Sequence, residues 1–396
     1  MTNPQEVVIL SAVRTAVGKF GGALKDTPLT ELAATVTREA VRRSGLAATD
    51  VNAVVFGNVI HTELKDMYLA RVAALNGGLP IETSAITVNR LCGSGLSAIL
   101  LAAIEVAHGD AVAAVGGGAE SMSRAPYWLP SMRWGARMND TTVLDAMVGA
   151  LTDPFEGVHM GVTAEHVAQK WSITRQAQDE LAVESHRRAL DAIQSGKFTE
   201  QIVPIEIKIK GGTTLFATDE SPRPDATLEN LAKLKPVFDK NGTVTAGNSS
   251  SINDGAAALV LMGRQAAEER GLKPMAKLVD YTITGVEPGY MGIGPIPAVR
   301  SLLQRTRLTV EQIDVFEVNE AFAAQALAVV GDLGFPAAKT NPNGSGISLG
   351  HPIGATGAIV TVKALHELRR IKGQYALVTM CIGGGQGIAA IFEALY

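Results

Sequence analysis

The strongest constraint on this chain is that its sequence repeats itself. LAATDVNAVVFGNV (46–59) lines up with LTVEQIDVFEVNEA (308–321), which with a one-residue offset sets Asn58 opposite Asn319. Asn58 precedes Cys92 by 34 positions, and Asn319 precedes His351 by 32. Cys92 and His351 are each followed by a glycine-punctuated helical stretch, an apolar strand and three glycines, at 116–118 and 383–385. Landmarks in one order at near-equal spacing predict a duplicated α/β unit whose halves face each other across a seam. That matching puts Cys92 and His351 at helix N-termini near the pseudo-twofold axis, where the dipole favours negative charge and lowers a thiol pKa.

Apolar strands alternate with helices outside the middle of the chain. Val7–Leu10 reads as a strand, 27–45 as a helix with Thr27 as N-cap, Pro28 at its first position and Gly45 as its stop. Further strands are expected at Val51–Phe56, at Ile86–Leu91 ending on Cys92, at Ala111–Val115 and at Ala376–Cys381, with a helix over Leu96–Ala107. Strands apolar throughout argue for a mainly parallel sheet covered on both faces. Between about Glu120 and Asn248 the grammar changes: Trp, Arg, Met and Pro gather, a polar helix runs from Thr174 to Ser195, and Ile205–Ile209 alternates like a half-exposed strand. An insertion this long between βα units carries binding elements.

The bulk numbers mainly exclude. A net charge of −4 over 396 residues gives no global attraction to nucleic acid or anionic membranes. The first residues do not resemble a signal peptide, and the apolar run Leu96–Ala107 meets charge before it could complete a membrane span. Two cysteines do not make a disulfide framework and suit a reducing, cytoplasmic setting. Cysteines and histidines show no zinc-ligand spacing, so no metal is expected.

Cys92 in VNRLCGSGLSA is either a packed small hydrophobe or a reactive thiol; the glycines and the repeat favour the thiol. Cys381 ends a strand before IGGGQG, where glycines let backbone N–H groups turn toward a ligand as an oxyanion site needs. A dinucleotide loop is the competing reading, but too little chain follows for another βαβ unit. His351, between glycine and proline in LGHPIGATG, is a chemical candidate, whereas His61, His108, His166, His186 and His366 read as solvated or locally bonded. Asn319 reads equally as a helix N-cap or as an amide facing the seam.

The segments VNRLCGSGLSA, GGGAESMS, VTAGNSSSINDGAAA, NEAFAAQ, NPNGSGISLGHPIGATGA and CIGGGQG together resemble the thiolase family of acetyl-CoA acetyltransferases. The resemblance spans nearly the whole chain and is strongest to bacterial short-chain β-ketothiolases of the polyhydroxyalkanoate-forming type. It implies an α/β thiolase fold: two duplicated half-domains in an α-β-α-β-α five-layered core with an inserted loop domain. The expected division is 1–120 with 249–272, an inserted 121–248 that holds coenzyme A and makes oligomer contacts, and 273–396. It further implies Cys92 as nucleophile, His351 as its base, Cys381 as the second acid/base, Asn319 holding a water, and Gly383 sharing an oxyanion hole with the Cys92 N–H. Coenzyme A contacts implied by the family are Ser250 on the pantetheine and Arg223 near the adenine. His159, Met160 and Met291 would line the short-chain pocket, with Leu151, Phe238, Ala246, Ala321 and Phe322 as further apolar walls. SPRPDATLEN departs from the commonest pattern around Pro224 and Asn230. Coenzyme A thioesters would be substrates, with no prosthetic group, and a homotetramer tethered near Arg124–Asp140 is implied. HMG at 159–161 and NEAF rather than HEAF at 319–322 favour biosynthetic over degradative 3-ketoacyl-CoA chemistry, and retention of all four polar groups argues against a non-catalytic acyl-CoA carrier.

Overall fold

The computed structural model describes residues 5–396. Its main strands are β1 (Val7–Arg14), β2 (Val51–Gly57), β3 (Ser84–Val88), β4 (Ala113–Ser121), β5 (Asn253–Gly263), β6 (Ala276–Gly285), β7 (Val315–Val318), β8 (Tyr375–Ile382) and β9 (Gln386–Ala394). The main helices are α1 (Leu29–Ser44), α2 (Ser94–His108), α3 (Met160–Lys170), α4 (Arg175–Gln194), α5 (Pro295–Thr306), α6 (Ala323–Leu333) and α7 (Thr356–Ile371). The strands run in the order β7-β8-β9-β6-β1-β5-β4-β2-β3. The two halves meet where β1 and β6 share only the pairs Val8–Lys277 and Ile9–Ala276.

The sheet is mixed, which corrects the mainly parallel expectation. Only β3-β2-β4 and β7-β8 are parallel; β4-β5, β5-β1, β6-β9 and β9-β8 are antiparallel. The apolar runs report burial on both faces, and burial does not fix strand direction. A three-residue turn such as Gly383–Gly385 leaves no room for a crossover, so β8 and β9 must run antiparallel.

The five-layer order follows from side-chain alternation. Along β5, Ala257, Leu259 and Leu261 point into the core shared with α2 and α7, whereas Ala256, Ala258, Val260 and Met262 pack toward α1. Along β9, Ile388, Ala390 and Phe392 enter the same central core, and Ala389 and Ile391 face α5. Thus α2 and α7 form the middle layer, flanked on each side by one half of the sheet, with an outer helix layer beyond each half.

The middle helices meet through one glycine from each half. A Cβ on Gly95 would stand 2.7 Å from the Ala358 nitrogen, and one on Gly357 would stand 2.3 Å from the Leu96 nitrogen. This reciprocal contact sets the register of the duplication, and it differs from the sequence matching. Gly95 corresponds to Gly357, so Cys92 corresponds to Gly354 and not to His351. The glycine triplets do not correspond either. Gly116–Gly118 lie inside β4, where a Cβ on Gly116 would meet Ile99 Cα at 2.7 Å and one on Gly118 the Gly354 carbonyl at 2.4 Å. Gly383–Gly385 instead make the β8–β9 turn, with Gly384 and Gly385 at φ +80° and +82°. One triplet permits close helix packing and the other a turn.

Smaller boundaries also move. Pro28, not Thr27, is the N-cap of α1, while Gly45 closes the helix at φ +78° as expected. β3 stops at Val88, short of Cys92, and α7 starts five residues after His351, so His351 is not at a helix N-terminus. Thr174 caps α4 through its side chain, which accepts from the Ala177 N–H. The window Leu91–His108 is long and apolar enough by composition to cross a membrane, against expectation; 61% of it is buried as the central helix.

Between β4 and β5 the chain leaves the sheet for α3, α4 and two small hairpins. One anchor returns it: Arg14, fully buried in β1, clamps Asp219 with two hydrogen bonds of 2.7 and 3.0 Å, and Asp219 also accepts from the Val17 N–H.

Candidate active site

Where the two halves and the excursion meet, a cavity of about 700 Å³ opens to solvent. Cys92, His351, Cys381 and Gly383 line it, as do Ser250, Arg223, His159, Met160, Leu151, Phe238, Ala246, Met291, Ala321 and Phe322. Of the residues singled out in the sequence, only Asn319 is absent from its wall.

His351 is held from three sides. Its N–H donates to Asn253 Oδ1 at 2.9 Å, its Nδ1 lies 2.7 Å from the Thr356 hydroxyl, and its Nε2 lies 3.4 Å from Asn319 Nδ2. The Thr356 hydroxyl donates to the Pro352 carbonyl at 2.9 Å, so it accepts from Nδ1–H. That assigns the proton to Nδ1 and leaves Nε2 as the basic nitrogen, with the Asn319 amide behind it. Burial lowers the His351 pKa to about 4, so the ring is neutral at physiological pH.

Cys92 precedes α2, but its pKa does not fall as the helix-terminus argument expects. Burial pushes it up to about 11; the backbone amides of Gly383 and Cys92 itself pull the other way, and the Glu120 carboxyl adds to the rise. No cation stands among these causes, so the resting group is a thiol. Cys381, at the end of β8, is fully buried, and burial first and Cys92 second raise its pKa still further. Two neutral thiols and a neutral imidazole unprotonated at Nε2 therefore share one pocket, with amide donors directed at one sulfur.

The apolar wall is built around that sulfur. His159 caps α3 by accepting from the Gly161 N–H and stacks on Phe238 with ring centroids 4.7 Å apart; Phe238 meets Phe322 edge-on at 6.2 Å. Gly161 must lack a side chain, because a Cβ there would lie 2.2 Å from the Phe238 ring. At Gly383 a Cβ would lie 2.7 Å from Met160 Cε, so the turn and the methionine are fitted to each other. Ser250 donates its N–H to the Ala321 carbonyl at 2.9 Å, which fixes one rim to the loop after Asn319.

Several site residues were not legible locally. Asn253 joins the two halves, accepting from the His351 N–H and donating to the Gly18 carbonyl and Ser221. Thr356 orients the imidazole. Glu120 accepts from Asn58 Nδ2 and from the N–H groups of Val59, Ile60 and Gly354, at 2.8 to 3.1 Å. His186, expected to be solvated or locally bonded, is buried beside Arg223 and accepts from its backbone N–H, 37 residues away, at 3.1 Å. Asn253, Thr356 and Glu120 lie inside the quoted motifs, so the signal was present without a role.

Residues 7–265 match the thiolase N-terminal domain and residues 272–394 the thiolase C-terminal domain. The chain belongs to the thiolase family. This thiolase is 62% identical over 392 residues to the beta-ketothiolase BktB of Cupriavidus necator, covering 99% of this chain and 100% of that protein. It superposes on the acetyl-CoA acetyltransferase of Bacillus anthracis with a TM-score of 0.97 at 46% identity, over 100% of both chains. It is also similar to human mitochondrial 3-ketoacyl-CoA thiolase in complex with CoA, with a TM-score of 0.95 at 40% identity over 99% and 98% of the two chains.

Proposed function

We propose that this thiolase catalyses the reversible Claisen condensation of two short acyl-CoA molecules, one of them acetyl-CoA, to a 3-ketoacyl-CoA and free coenzyme A. The observation that carries this reading is the convergence of Cys92, Cys381 and His351 Nε2 on one cavity. As Cys92 attacks the thioester carbonyl, its proton passes to Nε2, and the charge formed on the carbonyl oxygen is met by the amides of Cys92 and Gly383. The C–S bond to coenzyme A breaks, the Cys381 thiol gives its proton to the departing sulfur so that coenzyme A leaves as the thiol, and an acyl-Cys92 remains beside a Cys381 thiolate and a His351 still protonated at Nε2. Cys381, as the thiolate, removes a proton from the methyl carbon of acetyl-CoA. The enolate carbon attacks the acyl-cysteine, the new C–C bond forms, and the Cys92 sulfur departs and takes its proton back from His351 Nε2. Until then His351 Nε2–H and a water held by Asn319 donate to the enolate oxygen. Thiolysis is the same path reversed. The thioester supplies the activation, and no prosthetic group takes part.

Met160, Met291 and the Phe238–Phe322 pair close the pocket near the sulfur, which supports a short acyl group over the longer chains of a degradative enzyme. Ser250 meets the pantetheine arm, while Arg223 stands near the adenine. In this reading 1–120 with 249–272 and 273–396 are the half-domains, and 121–248 is the loop domain carrying coenzyme A contacts. The segment Arg124–Asp140, with Trp134 at 82% and Met138 at 84% exposure, tethers a homotetramer in the cytoplasm.

Intact-protein mass spectrometry after mixing with acetyl-CoA tests the chemistry. The wild type gains one hydroxylamine-labile acetyl group and Cys92→Ser gains no such group; acetylation that survives hydroxylamine, or that persists unchanged in Cys92→Ser, rejects the mechanism. Light scattering tests the tetramer.

A further inference from the structure

Glu165 stands on α3 and does not line the catalytic cavity, yet it grips the turn 237–244, whose Val237 and Phe238 do. Its carboxylate accepts from the Thr243 N–H through both oxygens at 2.9 Å, from the Val244 N–H at 2.7 Å and from the Thr243 hydroxyl at 3.1 Å. A Cβ on Gly242 would stand 2.1 Å from Glu165 Oε1, so the backbone is drawn directly against the acid. Within the turn, Val237 donates its N–H to the Val244 carbonyl and Gly242 to the Asp239 carbonyl, both at 3.0 Å. Outside it, the Thr243 hydroxyl accepts from Gln178 Nε2 and the Thr243 carbonyl from Asn248 Nδ2. Hydrogen bonds to an ionised carboxylate are the stronger members of such a set. The tip, Asp239 to Asn241, is exposed.

The gripped turn carries the wall of the acyl pocket. Val244 is fully buried in one apolar cluster with Met160, Met291, Phe322 and Cys381, and Phe238 packs against that cluster. The same helix thus holds the turn twice: His159 stacks on the Phe238 ring, and Glu165 fixes the backbone behind it. Resting on the short-chain reading above, we infer that Glu165 is a positioning residue for acyl length, which keeps the pocket short by clamping Thr243 and Val244. Without the clamp the turn recedes toward solvent, and Phe238 and Val244 withdraw from the cluster with it. Each methylene then admitted from water to the apolar wall contributes a roughly fourfold gain. Losing Glu165 therefore favours long chains over short ones, although no atom has been removed from the cavity itself.

The experiment measures thiolysis kcat/KM for 3-ketoacyl-CoA substrates of four, six and eight carbons, together with melting temperature. The proteins are the wild type, Glu165→Ala, Glu165→Gln and Gly242→Ala. Glu165→Gln is the conservative control: its carboxamide oxygen still accepts from the two backbone N–H groups, and its NH2 donates to the Thr243 hydroxyl. Gly242→Ala pushes the turn off an intact carboxylate, and its backbone lies outside the left-handed region, so it covers a failure of Glu165→Ala to fold. The expected result is a ratio of eight- to four-carbon kcat/KM raised about fivefold or more in both alanine variants, and held within about twofold of wild type in Glu165→Gln. A ratio unchanged in the alanine variants, even with a lower melting temperature or uniformly slower turnover, makes Glu165 a structural acid only and overturns the proposal. So does a shift in Glu165→Gln as large as in Glu165→Ala. A wild type faster on eight carbons than on four would instead remove the short-chain reading beneath it.

Discussion

The Thr356 hydroxyl lies 2.7 Å from His351 Nδ1 and donates its own hydrogen bond to the Pro352 carbonyl, which puts the ring proton on Nδ1 and leaves Nε2 unprotonated. One hydroxyl thereby selects the tautomer that can take a proton from Cys92. Thr356→Val keeps the shape but removes the acceptor. It should lower kcat by roughly 10- to 100-fold, the scale of losing a partner that orients a catalytic ring, with KM little changed. Thr356→Ser should restore most of the rate. Equal loss in the serine and valine variants would show that the methyl group, not the hydroxyl, matters.

Arg14 and Asp219 form a bidentate pair with both side chains fully buried. Arg14→Met strands the Asp219 carboxylate and should cost about 3–5 kcal/mol in denaturant unfolding. Arg14→Met with Asp219→Leu should recover much of that loss. A double variant no more stable than Arg14→Met would contradict the pairing.

The middle layer tolerates no side chain at its crossing. Gly95→Ala and Gly357→Ala each force backbone apart at contacts of 2.7 and 2.3 Å, and each should destabilise by at least ~1–3 kcal/mol. Neither residue lines the catalytic cavity. A melting temperature within a degree of wild type for both would refute the close crossing.

His186 titrates near 4, held down by burial first and by the Arg223 charge second, whereas the unfolded chain takes up its proton near 6.5. Its contribution is complete above pH 6.5 and is lost as pH falls toward 4. The stability difference between wild type and His186→Gln should therefore shrink by about 1.4 kcal/mol per pH unit across that range. The subtraction is needed because buried Glu120 and Glu317, raised to about 8 and 7, work in the opposite direction. A pH-independent difference would reject the buried neutral histidine.

The chain reveals its duplication because each half must bury the same kinds of strand and helix, and burial leaves a periodic mark. It misleads where one residue type serves two purposes. Glycine at 116–118 admits a neighbouring helix, glycine at 383–385 makes a turn, and identical letters hide the difference. Cys92, His351 and Cys381 stood out because reactive groups among glycines are uncommon in a core. Thr356, Asn253 and Glu120 did not, because each acts through hydrogen bonds that cross between distant segments, and such bonds leave no local period. The direction of β5, β6 and β9 was equally hidden, since a strand covered on both faces looks the same whichever way it runs.

Asn58 and Asn319 occupy matching positions after β2 and β7, yet they meet different company. Asn319 backs the imidazole of His351, whereas Asn58 gives its amide to the carboxyl of Glu120. Glu120 also accepts from Gly354, the counterpart of Cys92, so a buried carboxyl stands beside one turn where an imidazole stands beside the other. The same turn thus serves different ends in the two copies: at Cys92 it opens on the cavity, and at Gly354 its amide is already taken by a buried carboxyl.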